Sequence, residues 1–239
     1  MELLVNGARG LGLELDPQQL ARFRTYYEEL VQWNRRVNLT SITDYAGVQV
    51  GHFLDSLTVV PALATSPDER CLRIIDVGTG AGLPGIPLKI LCPDIALVLL
   101  EATARKAEFL RHVVDRLGLD NAEIVVGRAE EVAHQAEYRE KFELVTSRAV
   151  APLPTLVELC LPFCVPGGRF VAQKKGAIDE EIREAGRAME LLGGRLREVK
   201  PVDLPEFTDN RCLVIIDKVL PTPAKYPRRP GMPAKRPII

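Results

Sequence analysis

The chain has 239 residues, 46% of them apolar, with 31 basic and 32 acidic side chains. That length and composition can bury a core of good size, as one α/β domain with an extension or as two small domains. No basic segment leads into a long apolar stretch in MELLVNGARG and no run reaches membrane-spanning length, so the chain is expected to be soluble, without a secretory signal, transmembrane helix or membrane partner, and cytoplasmic by default.

Residues 1–66 read as a helical extension. Asp16 followed by Pro17 supplies an N-cap and a first-turn residue, opening a helix whose Leu20, Phe23, Tyr27, Leu30 and Trp33 recur at three-to-four spacing and belong in a core. A second helix starts near Thr43 or Asp44 and carries Val48, Phe53, Leu57 and Val60 to Pro61. His52 and Asp55 lie one turn apart on it, compatible with a catalytic pair; a polar helix face or a contact to a neighbouring loop is the preferred reading. The polar stretch 66–70, with Pro67, marks the boundary.

From 67 to 220 strand and helix patterns alternate, which predicts a mostly parallel sheet with helices on both faces. The first strand, 72–77, is a continuous apolar run broken by Asp76 near its carboxyl end. Ligands of open α/β sheets sit beyond the carboxyl ends of strands, so Asp76 is expected to face the crevice. Gly78, Gly80 and Gly82 follow as GxGxG, without Cβ atoms to keep a ligand from the backbone, while Gly80, Gly82 and Gly85 also satisfy the dinucleotide pattern GxGxxG. Pro84 and Pro87 suit the first turn of the next helix. A second buried strand, 95–102, ends in Glu101, placed to accept hydrogen bonds from both ribose hydroxyls of an adenosine; a plain helix-start acid is the alternative.

Thr103 is then expected to cap a helix running through Phe109, Val113 and Leu117 to Gly118. A third strand, 122–127, is followed by Arg128, Ala129 and Glu130, and a fourth, 142–147, by Arg148. Pro166, Gly167 and Gly168 turn the chain into a fifth strand, 168–173, with Lys174 and Lys175 at the presumed mouth. A helix over 179–192 precedes two last strands, 195–202 and 212–219, close enough in sequence to be antiparallel. The five cysteines, Cys71, Cys92, Cys160, Cys164 and Cys212, are read as reduced and mostly buried, and no metal site is expected because His52, His112 and His134 lack ligand spacing.

The acid, GxGxG, acid order over seven strands resembles the class I S-adenosylmethionine-dependent methyltransferases, whose first two motifs match Asp76, Gly78, Gly80, Gly82 and Glu101. The expected fold class is therefore α/β: a Rossmann-like seven-stranded sheet, mostly parallel with an antiparallel last strand, behind an N-terminal helical extension. Within that superfamily WNRRVNLTSIT, HFLDSL, DVGTGAGLPGIPL, RAEE, TSRAVA and KYPRRPGMPAKRP resemble the bacterial small-subunit ribosomal RNA methyltransferase G family, formerly called glucose-inhibited division protein B, over nearly the whole chain. The resemblance implies transfer of a methyl group from S-adenosyl-L-methionine, leaving S-adenosyl-L-homocysteine, to guanine N7 in the 530 loop of 16S ribosomal RNA. It implies the 30S subunit or its assembly intermediate as partner, and cofactor contacts at Gly78, Leu83, Ala129, Glu130 and Arg148. Chemically, Glu130 can accept from the adenine amine and the Ala129 amide can donate to a ring nitrogen, while a solvated helix start is the bland reading of Glu130. The Arg148 guanidinium suits the methionine carboxylate, a phosphate or a base edge equally, and could also be a plain surface charge.

The acceptor chemistry is narrowed by absent motifs. Ser147, Arg148 and Ala149 stand where exocyclic-amine methyltransferases carry an Asn or Asp, Pro, Pro, aromatic motif, and the nearest candidate thiolate, Cys160, is over three turns away. Guanine N7 offers an in-plane lone pair, so no acid, base or covalent intermediate is required and no catalytic acid or base is named; Arg148 is the one candidate near the acceptor.

Residues 221–239 form a basic arm in which Lys225, Arg228, Arg229, Lys235 and Arg236 give +5 with no acid, leaving about −6 on the rest of the −1 total. Six prolines favour an extended arm, and Tyr226 can stack on a base. With Lys174 and Lys175 these are the RNA-binding candidates, a disordered solubilising end being the alternative. Truncation after Leu220 is then expected to impair RNA methylation with cofactor affinity nearly unchanged, and the working form is expected to be a monomer. A methyltransferase for small molecules or proteins is disfavoured by the arm, and a nicotinamide oxidoreductase by GxGxG after Asp76 and by the antiparallel ending. A cofactor-binding assembly factor without turnover is left open.

Overall fold

The structure, a computed structural model, describes residues 1–62 and 72–239, so the expected boundary at 66–70 and Cys71 lie outside the described residues. Helix α1 spans Glu2–Gly10. Helix α2, Pro17–Val37, begins as expected: the Asp16 carboxylate accepts from the Gln19 amide while the Gln19 side chain accepts from the Asp16 amide. That reciprocal cap satisfies two backbone donors left over at the helix start. Asn38 ends α2 in the left-handed region at φ 53, and the Asn34 side chain gathers the Leu39 and Thr40 amides.

The buried face of α2 is Phe23, Tyr26 and Leu30; Leu20, Tyr27 and Trp33 are only partly covered. The stripe is thus shifted by one residue at the adjacent tyrosines. The deciding contact is tertiary, since the Tyr26 hydroxyl donates to the Ala81 carbonyl.

The second expected helix is three pieces in sequence. Asp44 caps α3, Tyr45–Val48; a π-helical turn, Gln49–Leu54, follows; α4, Asp55–Leu57, completes it, and Val60 enters a 3-10 turn, Val60–Ala62. The wide turn is common at functional sites and here precedes Asp55.

The strands are β1 Arg73–Val77, β2 Ala96–Glu101, β3 Ala122–Val126, β4 Phe142–Arg148, β5 Cys164–Lys175, β6 Gly194–Val202 and β7 Arg211–Lys218, in the order β3-β2-β1-β4-β5-β7-β6. β1 runs parallel to β2 and β4, β4 parallel to β5, and β7 antiparallel to both β5 and β6. β5 starts before the expected turn at Pro166: Cys164 already pairs with Phe142, and the register shifts between Phe142 and Leu144, with Gly167 at φ 91 absorbing the irregularity.

The connecting helices are α5 Gly85–Leu91, α6 Ala104–Leu117, α7 Ala129–Val132, α8 Leu153–Cys160 and α9 Asp179–Leu191, with α10 Met232–Lys235 near the C-terminus. One sheet face packs α5, α6 and the helical extension into a single cluster, in which Leu4, Phe23, Tyr26 and Leu57 share a core with Ile74, Leu97, Leu99 and Phe109. The other face packs α7, α8 and α9 through Val132, Leu156, Cys160, Ala185 and Met189. Each large apolar side chain so buried contributes roughly 1.5–3 kcal/mol, which holds the extension against the sheet rather than on a tether. Cys160, Cys164 and Cys212 are buried free thiols and Cys92 is half-buried; burial pushes the Cys164 thiol up to about 12.

Candidate active site

The topology reverses at β1, whose neighbours β2 and β4 lead away on opposite sides, and the glycine loop leaves its carboxyl end there. Gly78 and Thr79 amides donate back to the Leu100 carbonyl at 2.9 and 3.1 Å. Gly80 has φ 60, and a Cβ there would meet nothing closer than the Gly78 carbonyl at 4.0 Å, so the backbone is open to a ligand. Gly82, at φ 91, is closed by contrast: a Cβ would lie 2.3 Å from Ile86 Cδ1 and 3.0 Å from the Tyr26 hydroxyl. Leu83 is buried; Pro87 lies in the first turn of α5 as expected, whereas Pro84 stands one residue before it as the N-cap.

Asp76 does not face the crevice. It is fully buried, one oxygen accepting from Thr79 Oγ1 at 2.6 Å and the Gly85 amide at 2.9 Å while Oδ1 has no partner. Burial pushes its carboxyl up to about 6 against the pull of those two bonds. The acid braces the loop from beneath because the strand carries it under the turn rather than beyond it. Glu101, at the tip of β2, takes the position next to the open glycine: Oε2 accepts from the Gly80 amide at 3.0 Å and Oε1 from the Thr103 amide at 2.8 Å. Thr103 occupies the cap of α6 but its hydroxyl makes no cap bond.

Glu130 is likewise buried at the start of α7, and Ala129 is half-buried beside it. Glu130 Oε1 accepts from the Gly231 amide at 2.9 Å and Arg128 at 3.4 Å, and among the described residues no hydrogen bond reaches its Oε2. The solvated helix start weighed for Glu130 is therefore overturned, since the carboxylate is enclosed.

Beyond β4 the structure brings together groups that the sequence did not link. Arg148 Nη1 donates to Asp55 Oδ2 at 2.8 Å and to the Gly51 carbonyl at 3.2 Å. Arg211 Nη1 donates to the other Asp55 oxygen at 2.6 Å, and Gln173 Nε2 donates to the Asp55 carbonyl at 2.6 Å. Asp55 of the helical extension thus ties three strand ends, its buried carboxylate holding those of β4 and β7 and its backbone carbonyl that of β5. Asp55 is not on a polar helix face. His52 goes elsewhere, its Nε2 lying 2.7 Å from Thr40 Oγ1, as the loop-contact reading expected; burial and the nearby Arg148 lower its pKa to about 4. The only sequence signal for this hub was an acid among apolar neighbours in HFLDSL.

A sequence model of the family described as rRNA small subunit methyltransferase G matches residues 19–208. The ribosomal RNA small subunit methyltransferase G of Dehalococcoides mccartyi is 52% identical over 239 residues, all of both chains, and that of Roseiflexus sp. is 47% identical over 238, again covering both fully. The chain belongs to the rRNA small subunit methyltransferase G family. Solved structures repeat the fold at low identity. A mutant of MtNAS in complex with S-adenosylmethionine has a TM-score of 0.54 at 15% identity, covering 84% of this chain and 76% of that one. Precorrin-6y C5,15-methyltransferase from Geobacter metallireducens reaches 0.50 at 15% identity, covering 75% and 90%. The fold is that of class I S-adenosylmethionine-dependent methyltransferases. The site has the form such a ligand needs: an open glycine backbone at Gly80 stands beside a buried carboxylate, Glu101, whose oxygens each accept only one bond.

The expected RNA-binding residues divide in this family member. Lys174 is withdrawn from the mouth, its side chain only 12% exposed, 2.6 Å from Glu181 and bonded to the Ala151 carbonyl. Lys175 pairs with Asp209 at 2.8 Å but stays half exposed. The arm is folded, not extended. Arg228 forks onto the fully buried Glu158, Nε to Oε1 at 2.9 Å and Nη2 to Oε2 at 2.6 Å, and so is structural. Tyr226 is half-buried against the α7–α9 cluster with the Lys225 ammonium 5.3 Å from its ring centre, which denies that face to a stacking base. Lys225, Arg229, Lys235 and Arg236 are exposed and form no ion pair among the described residues.

Proposed function

We propose that the chain transfers a methyl group from S-adenosylmethionine to N7 of a guanine in the 530 loop of 16S ribosomal RNA, acting as a cytoplasmic monomer on the 30S subunit or its assembly intermediate. The observation that carries the reading is the full-length match to relatives named for small-subunit ribosomal RNA methylation, on a chain whose crevice keeps the open glycine and the strand-tip acid. The cofactor, when bound, supplies an electrophilic methyl on a sulfonium centre. The chain's own groups orient the partners. Gly80 lets the ligand approach the backbone, Gly78 at φ 71 holds the turn against Val150, whose Cγ2 would lie 2.6 Å from a Cβ there, Leu83 backs the loop, and the spare lone pairs of Glu101 accept from the ribose hydroxyls. Glu130 Oε2 accepts from the adenine amine while the Ala129 amide, at a helix start without an intrahelical acceptor, donates to the ring.

Arg148 is fixed through Nη1 alone, so its remaining donors serve a carboxylate, phosphate or base edge at the acceptor side. Attack by N7 needs no base, and His52, held neutral and committed to Thr40, supplies none. Alignment in a site closed to water is the main source of acceleration. Lys225, Arg229, Lys235, Arg236 and the exposed part of Lys175 meet RNA phosphates, so RNA affinity falls steeply with salt. The test is transfer of radiolabelled methyl to purified 30S subunits and to their extracted RNA, followed by nuclease digestion. Labelled 7-methylguanosine supports the proposal; another labelled nucleoside overturns the acceptor atom, and no label with either substrate overturns the activity.

A further inference from the structure

The C-terminal arm reaches the site. It leaves the amino ends of β4 and β5, where Glu140 accepts from the Thr222 amide at 2.6 Å, and climbs over α7 and α8 to the carboxyl edge. Arg139 pins its lower half, Nη1 donating to the Tyr226 carbonyl at 2.8 Å and Nη2 to that of Thr222 at 2.9 Å. His134 Nε2 lies 2.8 Å from the Pro227 carbonyl, Arg228 forks onto Glu158, and Thr155 donates to the Pro233 carbonyl at 3.2 Å. At the top the Gly231 amide lands on Glu130 Oε1.

We infer that the arm is a strap forming the wall of the adenosine end of the cofactor pocket, with the Gly231 amide holding Glu130 so that Oε2 faces the ligand. This rests on the reading of Glu130 as the adenine acceptor. A carboxylate fixed by one oxygen has lost its rotational choice before the ligand arrives, and the charge-assisted bond is of the strong kind. Gly231, at φ 81, is left-handed, and a Cβ there would meet nothing within 4 Å, so the residue serves the path of the strap rather than a tight packing contact. On this reading truncation after Leu220 weakens cofactor affinity as well as RNA methylation, because it frees Glu130 and opens the wall.

Two measurements with S-adenosylhomocysteine test this on the full chain. Trypsin cuts after the exposed Lys225 and Lys235. Saturating S-adenosylhomocysteine is expected to slow both cuts severalfold, followed by mass spectrometry, while cutting after the exposed Arg183 on α9 is unchanged. The variant Gly231→Pro removes the amide and, with φ locked at about −65°, also the left-handed path of the strap, and is expected to weaken S-adenosylhomocysteine affinity about tenfold or more by calorimetry. Equal cutting rates together with unchanged Gly231→Pro affinity overturn the strap while leaving the cofactor site intact. If Gly231→Pro fails to fold, the cutting rates of the unaltered chain decide. No binding to the unaltered chain overturns the cofactor reading itself, and the strap with it.

Discussion

Asp76→Asn isolates the electrostatics of the glycine loop. The amide oxygen can take over the bonds from Thr79 and Gly85, while the NH2 at the position of the partnerless Oδ1 brings buried donors whose cost does not vary with pH, so the pH-dependent part of the change reports the lost charge. In the folded chain burial raises the carboxyl from 3.8 to about 6, which by linkage corresponds to roughly 3 kcal/mol of stability forgone above that pH. The folded state holds this proton to higher pH than the unfolded chain. Its stabilising contribution is therefore full below about 4 and lost as pH rises through about 6. His52 works oppositely in the same window, since a value lowered to about 4 gives stability that is present above its ordinary 6.5 and lost as pH falls. The difference between Asp76→Asn and the unaltered chain cancels His52 and leaves Asp76. In urea denaturation without cofactor the stability of the variant relative to the unaltered chain should rise by roughly 2–3 kcal/mol between pH 4 and pH 8. A gap that does not change with pH, or that falls as pH rises, refutes the reasoning.

Asp55→Ala leaves Arg148 and the buried Arg211 without their shared carboxylate and should cost about 3–5 kcal/mol in thermal unfolding, with Asp55→Asn losing less. Arg228→Ala should destabilise by a similar amount, about 3–5 kcal/mol, because Glu158 is fully buried, and joint replacement of Arg228 by Met and Glu158 by Leu should recover most of it. Gly82→Ala forces a left-handed backbone and a clash with Ile86, lowering stability by about 1–3 kcal/mol in the same assay. Replacing Arg229, Lys235 and Arg236 together by Ala should leave the melting temperature unchanged while reducing the salt slope of RNA binding by about 2–3.

The sheet was legible because buried parallel strands announce themselves as apolar runs, and the strand-tip acid Glu101 because its run ends abruptly. What failed had its cause far along the chain. Asp55 meets Arg148 and Arg211 at separations of 93 and 156 residues, which no local pattern encodes. Glu158 looked like an ordinary helical acid, yet every residue of α8 is buried, and that burial is what calls Arg228 out of the arm. Proline content argued for an extended arm because composition reports local stiffness, whereas docking depends on Arg139, His134 and Glu158 waiting on the body. The shift from Tyr27 to Tyr26 is the smallest such case: a period of 3.6 leaves adjacent tyrosines nearly equivalent until Ala81 offers a carbonyl.

The acids of the site share a further property. Asp76, Glu101 and Glu130 are all buried, and in the chain alone each accepts from backbone amides: Gly85 for the first, Gly80 and Thr103 for the second, Gly231 for the third. A carboxylate buried without donors would be strongly penalised, so a pocket that awaits a ligand must satisfy its acids beforehand. Amides do this without closing the site, because each oxygen that accepts one bond retains another lone pair. Glu101 and Glu130 can therefore take ligand donors by addition rather than exchange. Asp76 differs, with both bonds on one oxygen and the other enclosed, and its raised pKa is the consequence. The three acids thus divide by hydrogen bonding into one brace beneath the glycine loop, Asp76, and two, Glu101 and Glu130, that keep lone pairs to spare.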